Sequence, residues 1–385
     1  MNHMNQFYNP APPTNHSPAP SAAPAHQAYP TYYPPQPTYP QPVQAVPYYI
    51  PAGYPAPSFA VQRKDPRKVR ARFTLNRAAA IVLLQVTASV LLQLLLTQIF
   101  LFAGIDVRTD TLSLTLMSGV MAPVCTAGPA LIYMFAYKGS WGDFLRFEKT
   151  GFFTGFLWVL AGLGLSIAGN YPAAVLETLL EMLGANDSFA VIGQGDTWGR
   201  FALDFFLVAI LVPVVEEFAF RGVIFSALRP FGQGFAIVGS ALIFGLAHLT
   251  LYSVVFATIA GLGMAIAYAK TRNLWITVFI HIANNGLAVL GSYAKLLPLN
   301  SWMQTLFQAL LTLAPLLLGA IAFVILLIIG HLRKQRTRAA YAQPQPAPMA
   351  LPPLRGGETV ACILSTPLIW AVFVLALLDT AVLFL

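Results

Sequence analysis

From Ala78 to the C-terminus the chain is a series of apolar runs separated by short polar breaks. The runs cover residues 78–103, 113–137, 151–170, 201–228, 235–250, 251–269, 274–294, 303–330 and 360–385. Most are close to the roughly 20 residues that a helix needs to cross a bilayer. The pattern therefore predicts an all-α polytopic membrane protein with about eight or nine transmembrane helices. Between the third and fourth runs, "PAAVLETLLEMLGA" places Val175, Leu176, Leu179, Leu180 and Leu183 at helical spacing, with Glu177 and Glu181 on another face. That spacing predicts a short amphipathic helix lying on the outer interface or capping the bundle.

Outside the runs the pattern is different. Residues 1–62 contain no Asp, Glu, Lys or Arg and hold 16 of the chain's 30 prolines, many in Tyr-Pro pairs. So little aliphatic surface, and so many missing N–H donors, predict a disordered and partly polyproline-II cytoplasmic tail, of a kind a proline-binding partner would read. Residues 63–77 are a basic juxtamembrane segment. Residues 342–359, "AQPQPAPMALPPLRGGET", repeat the Pro/Ala/Gln bias and predict a flexible linker to a last helix.

Composition removes the soluble classes: 57% of residues are hydrophobic, 9% are charged, and the mean hydropathy is +0.66. A net charge of +8 does not point to nucleic acid, because seven of the basic residues lie at 63–77, where they act as a topology signal and an anionic-lipid contact. The first apolar run starts too far into the chain for a cleavable signal peptide, so an internal helix is expected to direct insertion. With the N-terminus cytoplasmic, 18 basic residues fall inside and only Arg108, Arg200 and Lys295 outside. That bias predicts a multi-pass protein of the cell membrane, with the lipid bilayer as its first partner. Trp141, Trp198, Trp275 and Trp302 stand at span ends as interfacial anchors do. Cys125 and Cys362 each lie in an apolar run, which argues against a disulfide framework.

The chemistry lies in the ionisable residues that the spans contain: Asp204, Glu216, Glu217, Arg221, His248, His281 and Asp379. Each costs about 3 kcal/mol at a helix centre on insertion scales, so such residues mark function by default. Glu217 and Arg221 are four apart, on one helical face, where they can pair. Glu216 lies about 100° round the helix from Glu217, free to face a cavity. "FGLAH" sets Phe244 and His248 on one face, and "HIANN" does the same for His281 and Asn285 while turning Asn284 away. Glu216 with His248 can activate water, and His281 with Asn285 can donate to the oxyanion formed when a peptide carbonyl is attacked. Equally, Glu216, His248 and His281 are a two-histidine, one-carboxylate set of the kind that holds a divalent metal such as zinc. Asp204, near the outer end of its span, is expected to be wet, and both Asp204 and Asp379 are expected to be structural.

The three motifs in order, "EEFAFR", "FGLAH" and "HIANN", resemble the E-E-x-x-x-R, F-x-x-x-H and H-x-x-x-N set of the CPBP intramembrane proteases. That family includes type II CAAX prenyl endopeptidases and bacteriocin-processing or self-immunity proteins. The resemblance spans residues 200–294. It implies an all-helical catalytic core in which Glu216 and His248 activate water, His281 and Asn285 stabilise the oxyanion, and Glu217, Arg221 and Phe244 support them. The substrate it implies is a membrane-associated peptide or protein, with lipidation left open. Two other classes remain at this point: a proton-coupled transporter, in which buried carboxylates and histidines relay protons, and a non-catalytic immunity or scaffold protein that keeps the motifs.

Overall fold

The computed structural model describes residues 65–107, 110–137, 140–185, 195–340 and 352–384, with side chains described outside 336–340. The expectations for the tail at 1–62 and for most of the linker lie outside these residues. Ten helical elements carry the described fold, and no strand occurs among these residues beyond one antiparallel bridge between Phe147 and Asn273.

Helix α1, Pro66–Phe102, starts where Asp65 accepts the Arg67 amide at 2.9 Å and proline occupies the first helical position. The basic residues from 67 to 77 are thus its first turns rather than a separate segment. Its buried positions, Ala71 to Val82, all lie in the first half, while Leu91, Leu94, Leu95 and Ile99 are exposed as a lipid-facing surface would be. Helix α2, Thr111–Ala136, is capped by Asp110, which accepts the Ser113 amide at 3.1 Å.

Helix α3, Phe152–Met182, runs for 31 residues through Pro172. The expected separate amphipathic helix is instead the last turns of α3, with Val175, Leu179 and Leu183 exposed. A proline within a long apolar helix is tolerated where the surrounding structure compensates the lost bond, so Pro172 does not mark a boundary.

The motif helix α4 covers 198–228 as an unbroken run of short pieces, with π-helical turns at Phe205–Leu211 and Phe218–Phe225 on either side of Val212–Glu217. Beyond it come α5 (Gln233–Leu246), α6 (Leu251–Thr271), α7 (Leu274–Ser292) and α8 (Ser301–Ala340). Helices α9 (Gly356–Leu364) and α10 (Pro367–Val382) form a pair bent by 64°.

By length and composition, six described helices can cross a membrane, or seven if the bent pair is one span. That criterion does not reach the expected eight or nine. Stretch 201–228 is divided into α and π pieces, and stretch 235–250 is a helix of only 14 residues. The molecule is a multi-pass, all-α membrane protein.

Helix α6 is central, half buried, and packs on α3 and α5. Helices α3 and α8 cross at Gly164 and Gly319, where a Cβ on Gly164 would come 2.7 Å from the Gly319 Cα. Close backbone approach through small residues is how helices associate without a hydrophobic driving force between them. Gly164→Val should therefore destabilise the protein by about 1–3 kcal/mol through overpacking, visible as a lowered Tm in detergent. An unchanged Tm would mean that the two helices separate without cost.

The C-terminal pair lies against α1. Lys68 pairs with Glu358 at 3.2 Å, Arg72 donates to the Ser365 carbonyl at 2.8 Å, and Asn76 accepts the Leu368 amide at 3.2 Å. Helix α10 also reaches the α5–α6 turn. Thr250 donates to Asp379 Oδ2 at 2.8 Å, and the Leu251 amide donates to Thr380 Oγ1 at 2.9 Å.

Candidate active site

The site assembles from α4, α5 and α7 around Phe244. Glu217 and Arg221 are both fully buried and pair through Oε1 and Nη1 at 2.7 Å. Arg221 is further held by the Gly261 carbonyl of α6, which accepts from Nη2 at 3.3 Å, and its guanidinium stacks 4.3 Å above the Phe244 ring centroid. A glycine is needed at 261, because a Cβ there would meet Phe244 at 3.1 Å and the Ala241 backbone at 3.2 Å. The delocalised, weakly hydrated guanidinium suits this position between carboxylate, carbonyl and aromatic face.

Phe244 also touches both histidines, edge-on, with ring centroids 4.8 Å from His248 and 5.8 Å from His281. His248 Nδ1 lies 2.9 Å from the Phe244 carbonyl. A carbonyl can only accept, so Nδ1 carries the proton and, in the neutral ring, Nε2 keeps its lone pair. The residue after it, Leu249, has φ of +59°, rare for a β-carbon-bearing residue, and Thr250 beyond it is the one held by Asp379.

His281 Nδ1 faces Glu217 Oε1 at 2.9 Å, and its Nε2 lies 3.7 Å from Glu216 Oε2. Thus Glu217 accepts from Arg221 and His281 through the same oxygen, and Glu216, with 16% of its side chain exposed, is the glutamate that faces open space. Glu216, Phe244, His248, His281, Asn284 and Asn285 line one cavity of about 110 Å³. Glu217 and Arg221 stand behind it.

Asn284 does not turn away from the site, as ideal helical spacing implied. It lines the same cavity as Asn285 and donates to Asn285 Oδ1 at 3.1 Å, while Asn285 Nδ2 donates to the Val208 carbonyl at 3.1 Å. The doublet of amides in "HIANN" was the signal available. A second, wider cavity of about 650 Å³ shares His248, Asn284 and Asn285 and continues past Asn170, Gln308 and Thr312. The small cavity is therefore the inner end of a groove between α3, α7 and α8.

Asp204 is buried rather than wet. It pairs with Arg200 Nε at 2.9 Å and accepts the Tyr293 hydroxyl at 2.6 Å, both outside the cavity. Among the described residues no group of three or more His, Cys, Asp or Glu side chains is placed to hold a metal ion.

Residues 198–287 match the family model of Rce1-like type II CAAX prenyl endopeptidases. Among curated proteins, the chain is 27% identical over 151 residues to the candidate membrane peptidase YdiL of Bacillus subtilis (strain 168), covering 38% of this chain and 59% of that relative. It is 35% identical over 92 residues to the membrane-embedded CAAX protease MroQ of Staphylococcus aureus (strain USA300), covering 22% of this chain and 37% of that one. The chain thus spans between about a third and three-fifths of the length of these relatives. No solved structure gives a significant match. The matched segment holds Glu216, Glu217, Arg221, His248, His281 and Asn285, and over residues 198–287 the chain is accordingly similar to the Rce1-like type II CAAX prenyl endopeptidases.

Proposed function

We propose that the protein is an intramembrane endopeptidase that hydrolyses a peptide bond of a membrane-associated, in some cases lipidated, peptide or protein. The observation that carries this reading is the single cavity shared by Glu216, both histidines and both asparagines, with a charged pair buried behind it.

In this reading a water held between Glu216 and His248 Nε2 loses a proton as its oxygen attacks the scissile carbonyl carbon. The carbonyl oxygen becomes an oxyanion, which His281 and an amide N–H of Asn285 or Asn284 stabilise. His281 donates to Glu217 through Nδ1, so it offers a second donor at Nε2 only as the imidazolium. Carboxylate oxygens of Glu217 and Glu216 face its two nitrogens. Collapse of the tetrahedral intermediate breaks the C–N bond, and the proton taken by Glu216 passes to the leaving amine. The groove beyond the cavity, lined by Asn170, Gln308 and Thr312, offers amide and hydroxyl partners for the backbone of an extended substrate segment.

In this reading Glu216 and His248 activate the water without a metal. Cleavage of a model membrane peptide is therefore expected to survive exhaustive dialysis of the purified protein against a chelator. Loss of activity on dialysis and its return with zinc would replace this mechanism with a metal-dependent one.

A further inference from the structure

A separate polar cavity lies where α4 and α6 end and α3 and α7 begin. It measures about 240 Å³ and is lined by three arginines, Arg146, Arg229 and Arg272, together with Ser226, Gln233 and Tyr268. It shares no residue with the Glu216 cavity, so its role is independent of the protease reading.

The arginines are placed by backbone and not by chance contact. Segments 146–148 and 272–274 pair antiparallel: the Glu148 amide donates to the Arg272 carbonyl at 2.9 Å, and the Leu274 amide donates to the Arg146 carbonyl at 2.9 Å. Asn273 Nδ2 adds a bond to the Glu148 carbonyl at 3.0 Å. Arg272, at φ of +49°, is the left-handed residue that ends α6, and its amide donates to the Tyr268 carbonyl at 2.7 Å. Arg229 enters from the tight turn Arg229–Phe231.

Charge is unbalanced here. Residues 146–149, 229 and 270–272 bring Arg146, Lys149, Arg229, Lys270 and Arg272 against the single carboxylate of Glu148. Glu148 pairs with Arg272 Nε at 2.8 Å and is half exposed, while Arg146 Nε is buried without a hydrogen-bond partner among the described residues. Burial, and then the guanidiniums of Arg272 and Arg146, hold the Arg229 guanidinium below its ordinary value. The other donors are already committed: Gln233 donates to the Ala269 carbonyl at 3.0 Å and Tyr268 to the Phe144 carbonyl at 3.3 Å. What the cavity presents is guanidinium edges in excess of the one carboxylate.

We propose that this cavity binds a phosphate group through Arg146, Arg229 and Arg272. Planar guanidinium forks match phosphate oxygens two at a time, and a bound phosphate relieves the repulsion among three like charges. The group has two sources, the headgroup of an anionic phospholipid at the end of the spans or a free phosphate, and the chemistry of the cavity is the same for both.

The test uses the full-length protein in neutral detergent, with thermal denaturation followed at constant ionic strength. One arm titrates inorganic phosphate against chloride; the other titrates dihexanoyl phosphatidylglycerol against dihexanoyl phosphatidylcholine. A saturable rise in Tm with either anionic probe is expected, and the stronger probe identifies the source. Arg229→Gln and Arg146→Gln should each weaken the apparent affinity at least tenfold, whereas Lys334→Gln, far along the chain on the exposed end of α8, should leave it unchanged. Arg229 lies on an exposed turn, so its variant is expected to fold even if the Arg146 variant does not. The proposal is overturned if neither probe shifts Tm, or if the shift keeps its wild-type midpoint in the Arg229→Gln protein.

Discussion

Glu216→Gln is expected to lower cleavage of a membrane peptide by about 10²- to 10⁴-fold, the usual contribution of a positioned general base. The protein should remain folded, since Glu216 faces the cavity and its closest charged contact is His281 Nε2 at 3.7 Å, too long for a hydrogen bond. Glutamine keeps the shape and removes the proton acceptor, which separates chemistry from packing. The measurement is single-turnover cleavage in detergent beside a thermal unfolding trace. Full activity in this variant would refute the water-activating role. Equal loss of activity and Tm would reassign Glu216 to the structural group.

The second large effect concerns the pair behind the cavity. Removing one member of a fully buried ion pair strands the other charge and typically costs about 3–5 kcal/mol. Arg221→Ala should therefore be among the most destabilising single substitutions in the chain, because Glu217 would lose the guanidinium that balances its buried charge. The double variant Glu217→Leu/Arg221→Met removes both charges and should recover much of the lost Tm, since buried pairs are often replaceable by apolar side chains. Activity should stay absent, because His281 Nδ1 then has no carboxylate to hold its ring. Recovery of both stability and activity would show that Glu217 does not position His281. A single variant as stable as the wild type would show that the pair is not buried in the folded protein.

Much of this site is legible in the sequence because its residues are spaced by one helical turn. Glu217 with Arg221, Phe244 with His248 and His281 with Asn285 are local pairs, and local spacing survives into the structure. What fails to transfer depends on non-local geometry. Ideal 100° steps turn Asn284 away, yet a cavity bounded by five helices accepts side chains over a wider arc than a two-helix contact. Hydropathy marks 201–228 as one apolar run but does not show that its backbone alternates between α and π turns. Pro172 and the glutamates after it suggest a separate interfacial helix, while the backbone stays helical through them. Asp204 is misplaced because Tyr293, which donates to it, is 89 residues away, although its other partner, Arg200, stands one helical turn before it.

The grip of Asp379 and Thr380 on Thr250 and Leu251 bears on where this enzyme candidate ends as a unit of inheritance and of engineering. The family match ends at residue 287, but the turn that carries His248 is pinned by Asp379, 129 residues beyond Thr250. A fragment cut to the region of resemblance would contain every motif residue and still lack the brace on its histidine turn. The smallest portable piece of this protein is therefore larger than its recognisable one, and α10 travels with the chemistry.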